Sequence, residues 1–128
     1  FAYGSPDGLR WKRIREDAIL SPKQMTFPFQ HLFDSQNLVF WSEHEQLYVC
    51  YFRVWDGLRR IARSTSSDFI NWSPAVLMQQ LHDDGLGKGP RPAPAEHLYT
   101  NQTAPYFRAP HIYLAIAARF FGGRQVLT

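Results

Sequence analysis

The feature that most constrains the fold is a turn pattern, S-x-D-x-x-x-W, that occurs twice in the 128 residues. The copies, Ser5–Trp11 and Ser66–Trp72, begin about 60 residues apart, a period typical of repeated structural modules. In each copy the Ser and Asp side chains can close a tight turn by bonding to nearby backbone amides. The Trp at the end can anchor the returning chain against a sheet. The pattern therefore predicts the same turn in two neighbouring sheet modules.

Strand-like segments lie between and around these turns. Aromatic residues make up 16% of the chain, and nine prolines and eight glycines favour many short elements joined by turns. The polar residues 42–46 and the Asp56-Gly57 pair separate apolar runs that we interpret as strands of one antiparallel meander. A four-stranded meander with this period is typical of one blade of a β-propeller. The four predicted strands are Leu38–Trp41, Leu47–Arg53, Leu58–Thr65 and Trp72–Met78.

The rest of the chain fits the same scheme. Residues 1–20 are interpreted as the end of one blade, residues 34–78 as a complete blade and residues 96–128 as the start of the next. The sequence thus predicts an all-β chain, a single domain over 1–128, that forms a partial β-propeller of antiparallel four-stranded blades truncated at both ends. Alanines in residues 112–120 leave a helix as the alternative to a strand there. Open sheet edges on both sides would favour homo-oligomerisation.

Composition and charge exclude several classes of function. The net charge is +3, but the 14 lysines and arginines are scattered rather than clustered as nucleic-acid binding requires. No run of about 18 apolar residues occurs, so the sequence predicts no membrane-spanning helix. The single cysteine, Cys50, excludes a disulfide within the chain and is expected to be a buried thiol. We predict no metal site and no cofactor, and no localisation signal is visible.

Three segments resemble a known family, namely Phe33–Trp41, Tyr48–Arg53 and Arg63–Trp72. They are similar to the five-bladed propeller glycoside hydrolases, which include the invertase-, levansucrase- and arabinanase-like enzymes. The S-x-D-x-x-x-W turn also resembles the Asp-box of the six-bladed sialidases. The resemblance covers most of the chain except the loop around 82–95. It implies a five-bladed propeller that acts on a carbohydrate.

The resemblance also implies where the reaction would occur. In that family three acidic residues around a central funnel cleave a glycosidic bond, as nucleophile or base, transition-state stabiliser and general acid. The reaction needs an acid to protonate the leaving oxygen and a carboxylate on the opposite face of the sugar. Asp34, before the first strand of the complete blade, would be the nucleophile, base or stabiliser, and Glu96, at the corresponding entry to the next blade, the general acid. The alternatives are an Asx turn at Asp34 and a solvated loop carboxylate at Glu96.

Several polar and aromatic residues near these strands are candidates for contacts with a sugar. Polar side chains would hydrogen-bond its hydroxyls, and an aromatic ring would stack on its apolar face. Arg53 and Arg108 would also suit a substrate carboxylate, which favours a sialidase-like hydrolase. The alternative to an enzyme is a non-catalytic propeller that binds glycans or proteins. The candidates for substrate binding are Asn37, Trp41, Arg53, His97, Asn101, Tyr106, Arg108 and His111.

Overall fold

The computed structural model describes residues 1–25, 31–34, 36–79, 81–82, 89, 91–92 and 97–121. Within these residues every strand pair is antiparallel, and the helical structure consists of one short 3-10 helix, Pro22–Gln24. The prediction of an all-β chain with antiparallel sheets is therefore confirmed. No helix in the described part of the chain is long and apolar enough to cross a bilayer.

The largest sheet is a four-stranded meander in which each strand pairs with the next along the chain. Its strands are β3 (Leu38–Ser42), β4 (Leu47–Trp55), β5 (Arg59–Ser66) and β6 (Val76–Leu77). The prediction of four consecutive antiparallel strands between residues 38 and 78 agrees with this sheet. The second strand is two residues longer than predicted, and the fourth is reduced to a two-residue pair.

Three smaller antiparallel pairs flank the meander along the chain. Residues 112–120, for which a helix was the alternative, contain no helix, and the strand that enters this segment ends at Leu114. The pairs are β1 (Tyr3–Gly4) with β2 (Lys12–Arg13), β7 (Leu81–His82) with β8 (Arg91–Pro92), and β9 (Ala104–Tyr106) with β10 (Ala109–Leu114).

The central strand β4 is covered on both faces, which explains its continuous apolar sequence. Its side chains alternate between two apolar clusters, as strand geometry requires. On one face Phe52 and Val54 pack with Trp72, and on the other face Val49 and Tyr51 belong to a second cluster. Phe52, Val54 and Val49 are fully buried. β4 therefore supplies most of the core and fixes the position of its neighbours.

The two S-x-D-x-x-x-W turns share a set of hydrogen bonds. In each copy Oδ1 of the aspartate accepts bonds from the backbone N–H groups two and three residues later, at 2.9 Å for Asp7 and at 2.8 and 2.7 Å for Asp68. The serine hydroxyl donates to the same aspartate in both copies. The indole N–H of the last residue, Trp11 or Trp72, donates to the carbonyl three residues earlier, at 3.1 Å in both. The repeated sequence thus encodes a repeated local structure.

Both turns also occupy the same place, between two antiparallel strands. The first connects β1 to β2, and the second leads from β5 towards β6. Each needs one residue in the left-handed region, Gly8 at φ 73° and Phe69 at φ 66°, and glycine adopts this conformation without a steric penalty. Hydrogen bonds from backbone amides lower the pKa of both turn aspartates below its usual value.

Candidate functional site

The described residues enclose a polar pocket of about 330 Å³ at the β4–β5 end of the central sheet. It combines two cations, one carboxylate, one imidazole and one indole. β4 contributes two of these side chains, β5 contributes one, and the segment before β3 contributes two. The lining residues are His31, Asp34, Arg53, Trp55 and Arg59.

The centre of the pocket is an ion pair between Asp34 and Arg53. Nη2 of Arg53 donates to Oδ2 of Asp34 at 2.9 Å. The two side chains differ greatly in accessibility, since Arg53 is 4% exposed and Asp34 is 59% exposed. Nη1 of Arg53 donates to the backbone carbonyl of Tyr99 at 2.6 Å, so the guanidinium is fixed from two sides. A buried arginine therefore holds one oxygen of a carboxylate that faces solvent.

Hydrogen bonds and a ring contact hold the segment before β3 against β4, and this places Asp34 beside Arg53. The backbone N–H of Phe33 donates to the carbonyl of Arg53 at 3.0 Å, and its ring stacks on Phe52 with centroids 4.7 Å apart. The side chain of Asn37 accepts a bond from the backbone N–H of Arg53 and donates to the carbonyl of Phe33, both at 3.3 Å. Asn37, predicted as a sugar contact, thus uses both of its polar side-chain atoms to bond the backbone.

Arg59 forms the opposite part of the pocket and is held by aromatic rings. Its guanidinium carbon lies 4.1 Å from the ring centroid of Phe120 and 5.3 Å from that of Trp55. His97 accepts a bond from the backbone N–H of Arg59 at Nδ1, 3.2 Å away, and packs beside Trp55. Within the described residues Arg59 has no carboxylate partner, and its Nε is buried without a hydrogen bond. It is therefore a cation whose charge these residues leave unpaired.

The structure places the other predicted sugar contacts away from this pocket. Trp41 packs edge-to-face on Tyr48, with centroids 4.9 Å apart. Arg108 lies over the ring of its neighbour Phe107, and Tyr106 packs on the same ring. The structure thus brings Asp34, Asn37, Arg53 and His97 together and leaves Trp41, Asn101, Tyr106, Arg108 and His111 elsewhere. Glu96, the second predicted catalytic carboxylate, lies outside the described residues.

Asn101 and His111 belong to other local environments. Asn101 is 2% exposed and lines a smaller cavity of about 140 Å³ between β4, β5 and the chain after β10. Its Oδ1 accepts a bond from Thr103, while its Nδ2 has no partner among the described residues. The ring of His111 lies 5.9 Å from that of His44, in the turn between β3 and β4. These positions suit packing between parts of the fold.

Three residues of the pocket, His31, Trp55 and Arg59, were not among the predicted site residues. The register pairs Trp55 with Arg59 across the β4–β5 turn, and side chains of directly paired residues lie on the same face of a sheet. Because residues 53 and 55 alternate with 54 along β4, they also share that face. A sequence signal existed in the Asp56-Gly57 turn, which fixes this register. His31 has φ 48°, and no sequence pattern indicated that conformation.

A second polar cluster lies at the other end of β4. Nη2 of Arg63 donates to Oε1 of Glu45 at 2.7 Å, and the hydroxyl of Tyr113 on β10 donates to the same oxygen. Partial burial raises the pKa of Glu45, but the hydrogen bonds from Tyr113 and Arg63 outweigh it and bring the pKa below its usual value. The hydroxyl of Ser42 also bonds Tyr113. All of these polar groups are satisfied by one another, so we interpret the cluster as a structural link.

No group of three or more His, Cys, Asp or Glu side chains with the geometry of a metal site occurs in the described part of the chain. Comparison of the chain with protein-family models, with curated proteins and with solved structures gave no match. The function is therefore inferred from the geometry of the pocket and from the resemblance noted in the sequence.

Proposed function

We propose that this chain forms blades of a carbohydrate-active β-propeller, similar to the five-bladed glycoside hydrolases, that acts on a glycosidic bond. The proposal treats the sheet β3–β6 as one blade and the two S-x-D-x-x-x-W turns as equivalent corners of neighbouring blades. The observation that carries it is the pocket in which Asp34, held by Arg53, lies with an indole and an imidazole. Its volume of about 330 Å³ falls within the range of about 300–1,000 Å³ typical of small-ligand sites.

The residues of the pocket suit a sugar. The indole of Trp55 offers an apolar face on which a pyranose ring can stack. The oxygen of Asp34 that does not bond Arg53 has no hydrogen bond within the part of the chain that the structure describes and can accept one from a hydroxyl, and the imidazole of His31 offers a further donor or acceptor. Sugar-binding sites need this combination, because a sugar presents an apolar face and a rim of hydroxyls.

Asp34 is assigned the role of nucleophile, base or transition-state stabiliser. Each role requires a carboxylate beside the anomeric carbon, and a fixed arginine orients the group. Glu96 is assigned the role of general acid, as the resemblance implies. The substrate is a glycoside, and the proposal requires neither a metal nor another cofactor.

The alternative is a non-catalytic propeller that binds glycans or proteins. One observation favours this alternative. The hydrogen bond from Arg53 to Asp34 also holds the segment before β3 in place, which is a structural role that needs no catalysis. In that case Asp34 would orient the pocket and the chain would bind a sugar without cleaving it.

The experiment compares Asp34→Asn and Glu96→Gln with Asp17→Asn on a panel of aryl glycosides. Asp17 is an exposed aspartate paired with Arg15 at 3.6 Å and lies outside the pocket. Loss of a catalytic carboxylate should lower kcat by roughly 10²–10⁴-fold, while Asp17→Asn should keep the activity of the parent. Thermal unfolding of all four proteins establishes that the variants are folded.

The outcomes separate the two candidates. Glycoside hydrolysis that is abolished by both Asp34→Asn and Glu96→Gln supports the enzyme. Binding of glycans by calorimetry without hydrolysis of any glycoside supports the binding propeller and overturns the catalytic roles. The absence of both hydrolysis and sugar binding would contradict the proposal as a whole.

A further inference from the structure

We propose that the pocket at the β4–β5 end of the sheet selects an acidic sugar, a hexuronic acid whose carboxylate binds Arg59. This inference rests on the proposed carbohydrate function and names the class of sugar. Two properties of the pocket support it, namely the positive charge of Arg59 and the free hydrogen-bond donors of its guanidinium among the described residues. A neutral hexose would not pair with this charge.

The charges of the pocket do not balance within the described residues. Arg53 and Asp34 neutralise each other through their 2.9 Å ion pair. Arg59 has no such partner there, and its neighbour His97 contacts it through Nδ1, at 3.5 Å from Nη1. Counting the described residues alone, one positive charge therefore remains at the wall of the pocket. The carboxylate of Asp34 is already compensated by Arg53, so it does not repel an anion strongly.

Most hydrogen-bond donors of the Arg59 guanidinium also lack an acceptor among the described residues. A guanidinium carries five N–H donors. Among the described residues, the side chain of Arg59 has one marginal hydrogen bond, to His97, and its Nε is buried without a hydrogen-bond partner. An unpaired buried donor destabilises the state that contains it. A carboxylate accepts two parallel hydrogen bonds from a guanidinium and matches its geometry better than a hydroxyl does.

The guanidinium is held in place before any ligand binds. It is packed against Phe120 at 4.1 Å and against Trp55 at 5.3 Å, and these contacts restrict its rotation. A preorganised arginine loses little conformational entropy on binding, which increases its contribution to affinity. Because Trp55 contacts Arg59 and also lines the pocket, a sugar stacked on this indole would have its substituents near the guanidinium.

The test measures binding of D-galacturonic and D-glucuronic acid by calorimetry, beside D-galactose and D-glucose as their neutral counterparts. The variants are Arg59→Gln and the matched control Arg60→Gln. Arg60 is adjacent in sequence but points to the other face, where it pairs with Asp56 at 3.0 Å. Acetate at the same concentration serves as an anion without a sugar ring.

We expect at least one uronic acid to bind about tenfold or more tightly than its neutral counterpart, as a charge-assisted bidentate contact predicts. Arg59→Gln should remove this preference, so that acidic and neutral sugars bind with similar affinity, and Arg60→Gln should keep the preference of the parent. Arg59→Lys, which keeps the charge but not the fork of donors, should retain only part of the preference.

Four results would overturn the inference, and they can be told apart. Equal affinity for acidic and neutral sugars contradicts the acidic specificity and leaves the carbohydrate function intact. A loss of acidic and neutral binding alike in a folded Arg59→Gln protein shows that the arginine is not the selective group. Binding of acetate as tight as that of the uronic acids shows a simple anion site, and binding of no sugar contradicts the proposed function itself.

Discussion

Trp11 and Trp72 end turns of the same S-x-D-x-x-x-W pattern but differ in their surroundings. Trp72 is 8% exposed and packs with Phe52 and Val54 in the core, whereas Trp11 is 60% exposed. The hydrogen bond from the indole N–H to the turn is the same in both. The sequence motif therefore specifies the local bond, and the contribution of the ring to stability depends on whether another part of the chain covers it.

Substituting each tryptophan by alanine measures how much its ring contributes to the stability of the fold. Trp72→Ala should lower the free energy of unfolding by about 3–5 kcal/mol, because it opens a cavity beside β4. Trp11→Ala removes the same group from an exposed position and should cost about 1 kcal/mol or less. Urea unfolding followed by circular dichroism gives both values. Equal losses would mean that the first turn is also buried against the protein.

The residues of the pocket show which parts of a site can be predicted from sequence. Asp34 was predicted from the family resemblance, by its position before the first strand of the complete blade, and Arg53 as a polar residue near these strands; the structure joins the two in an ion pair. Arg59 and Trp55 line the pocket because the register of the β4–β5 hairpin pairs them. Predicting that two strands exist does not determine which of their residues pair. Glu96 was named on the same grounds as Asp34, and its role stays a prediction.

At the scale of elements, Tyr113 links the hairpin β9–β10 to the central sheet through both its hydroxyl and its ring. Tyr113 donates to Glu45, shares a hydrogen bond with Ser42, and packs edge-to-face on Phe40 with centroids 5.4 Å apart. Its partners come from β3 and from the turn that follows it. Because the ring contact does not need the hydroxyl, the hydrogen bonds can be tested separately from the packing.

Tyr113→Phe should lower the free energy of unfolding by about 1–2 kcal/mol, because it leaves Glu45 and Ser42 without that partner. The matched control is Tyr106→Phe in the same hairpin, whose hydroxyl has no hydrogen bond among the described residues. A carboxylate with a lowered pKa stabilises the fold above its usual pKa, and this contribution is lost as the pH falls through the lowered value. The difference between the variants should thus be present at pH 7 and shrink below about pH 4.

Urea unfolding of Tyr113→Phe and Tyr106→Phe, at pH 7 and at a pH below about 4, checks this prediction. Variants that are equally stable at pH 7 would show that the hairpin is not anchored through Tyr113. A difference that persists unchanged at low pH would show that the hydroxyl acts through Ser42 rather than through the carboxylate.

The elements themselves followed largely from the sequence, and the differences have local causes. The Asp56-Gly57 turn is tight, so β4 continues to Trp55. The fourth strand is shortened because Pro74 lacks a backbone N–H and cannot join the ladder. Ser73 instead bonds Thr65 through its backbone N–H, at 2.8 Å. Apolar runs and turn residues predict that a strand exists. Where it ends depends on individual backbone hydrogen bonds, such as the one that Pro74 cannot donate.

At the scale of the molecule, the described fold is organised around one doubly covered strand. β4 has β3 and β5 beside it and an apolar cluster on each face. Its two ends carry the two polar assemblies, the pocket at Arg53 and the cluster at Glu45. β3 and β6 are the edges of this sheet, and association of copies through such edges stays a prediction.

Cys50 offers a direct measurement of how cooperatively this core opens. It is the single cysteine of the chain, lies in the middle of β4 and is 4% exposed. Burial raises the pKa of its thiol to about 12, so that under native conditions it is neither accessible nor ionised. Reaction with an aromatic disulfide requires a thiolate, and labelling therefore requires that the strand open.

We expect native protein at pH 8 to react roughly 10³-fold or more slowly than protein unfolded in urea, because labelling follows the small population of the open state. The control is Val76→Cys in a Cys50→Ser background, which places the thiol at a position that is 63% exposed and should react at nearly the unfolded rate. If β4 is the centre of the fold, Trp72→Ala should accelerate labelling of Cys50 by the factor that corresponds to its loss in unfolding free energy. Rapid labelling of Cys50 in the unaltered native protein would contradict the burial of β4, and with it the sheet that positions the pocket.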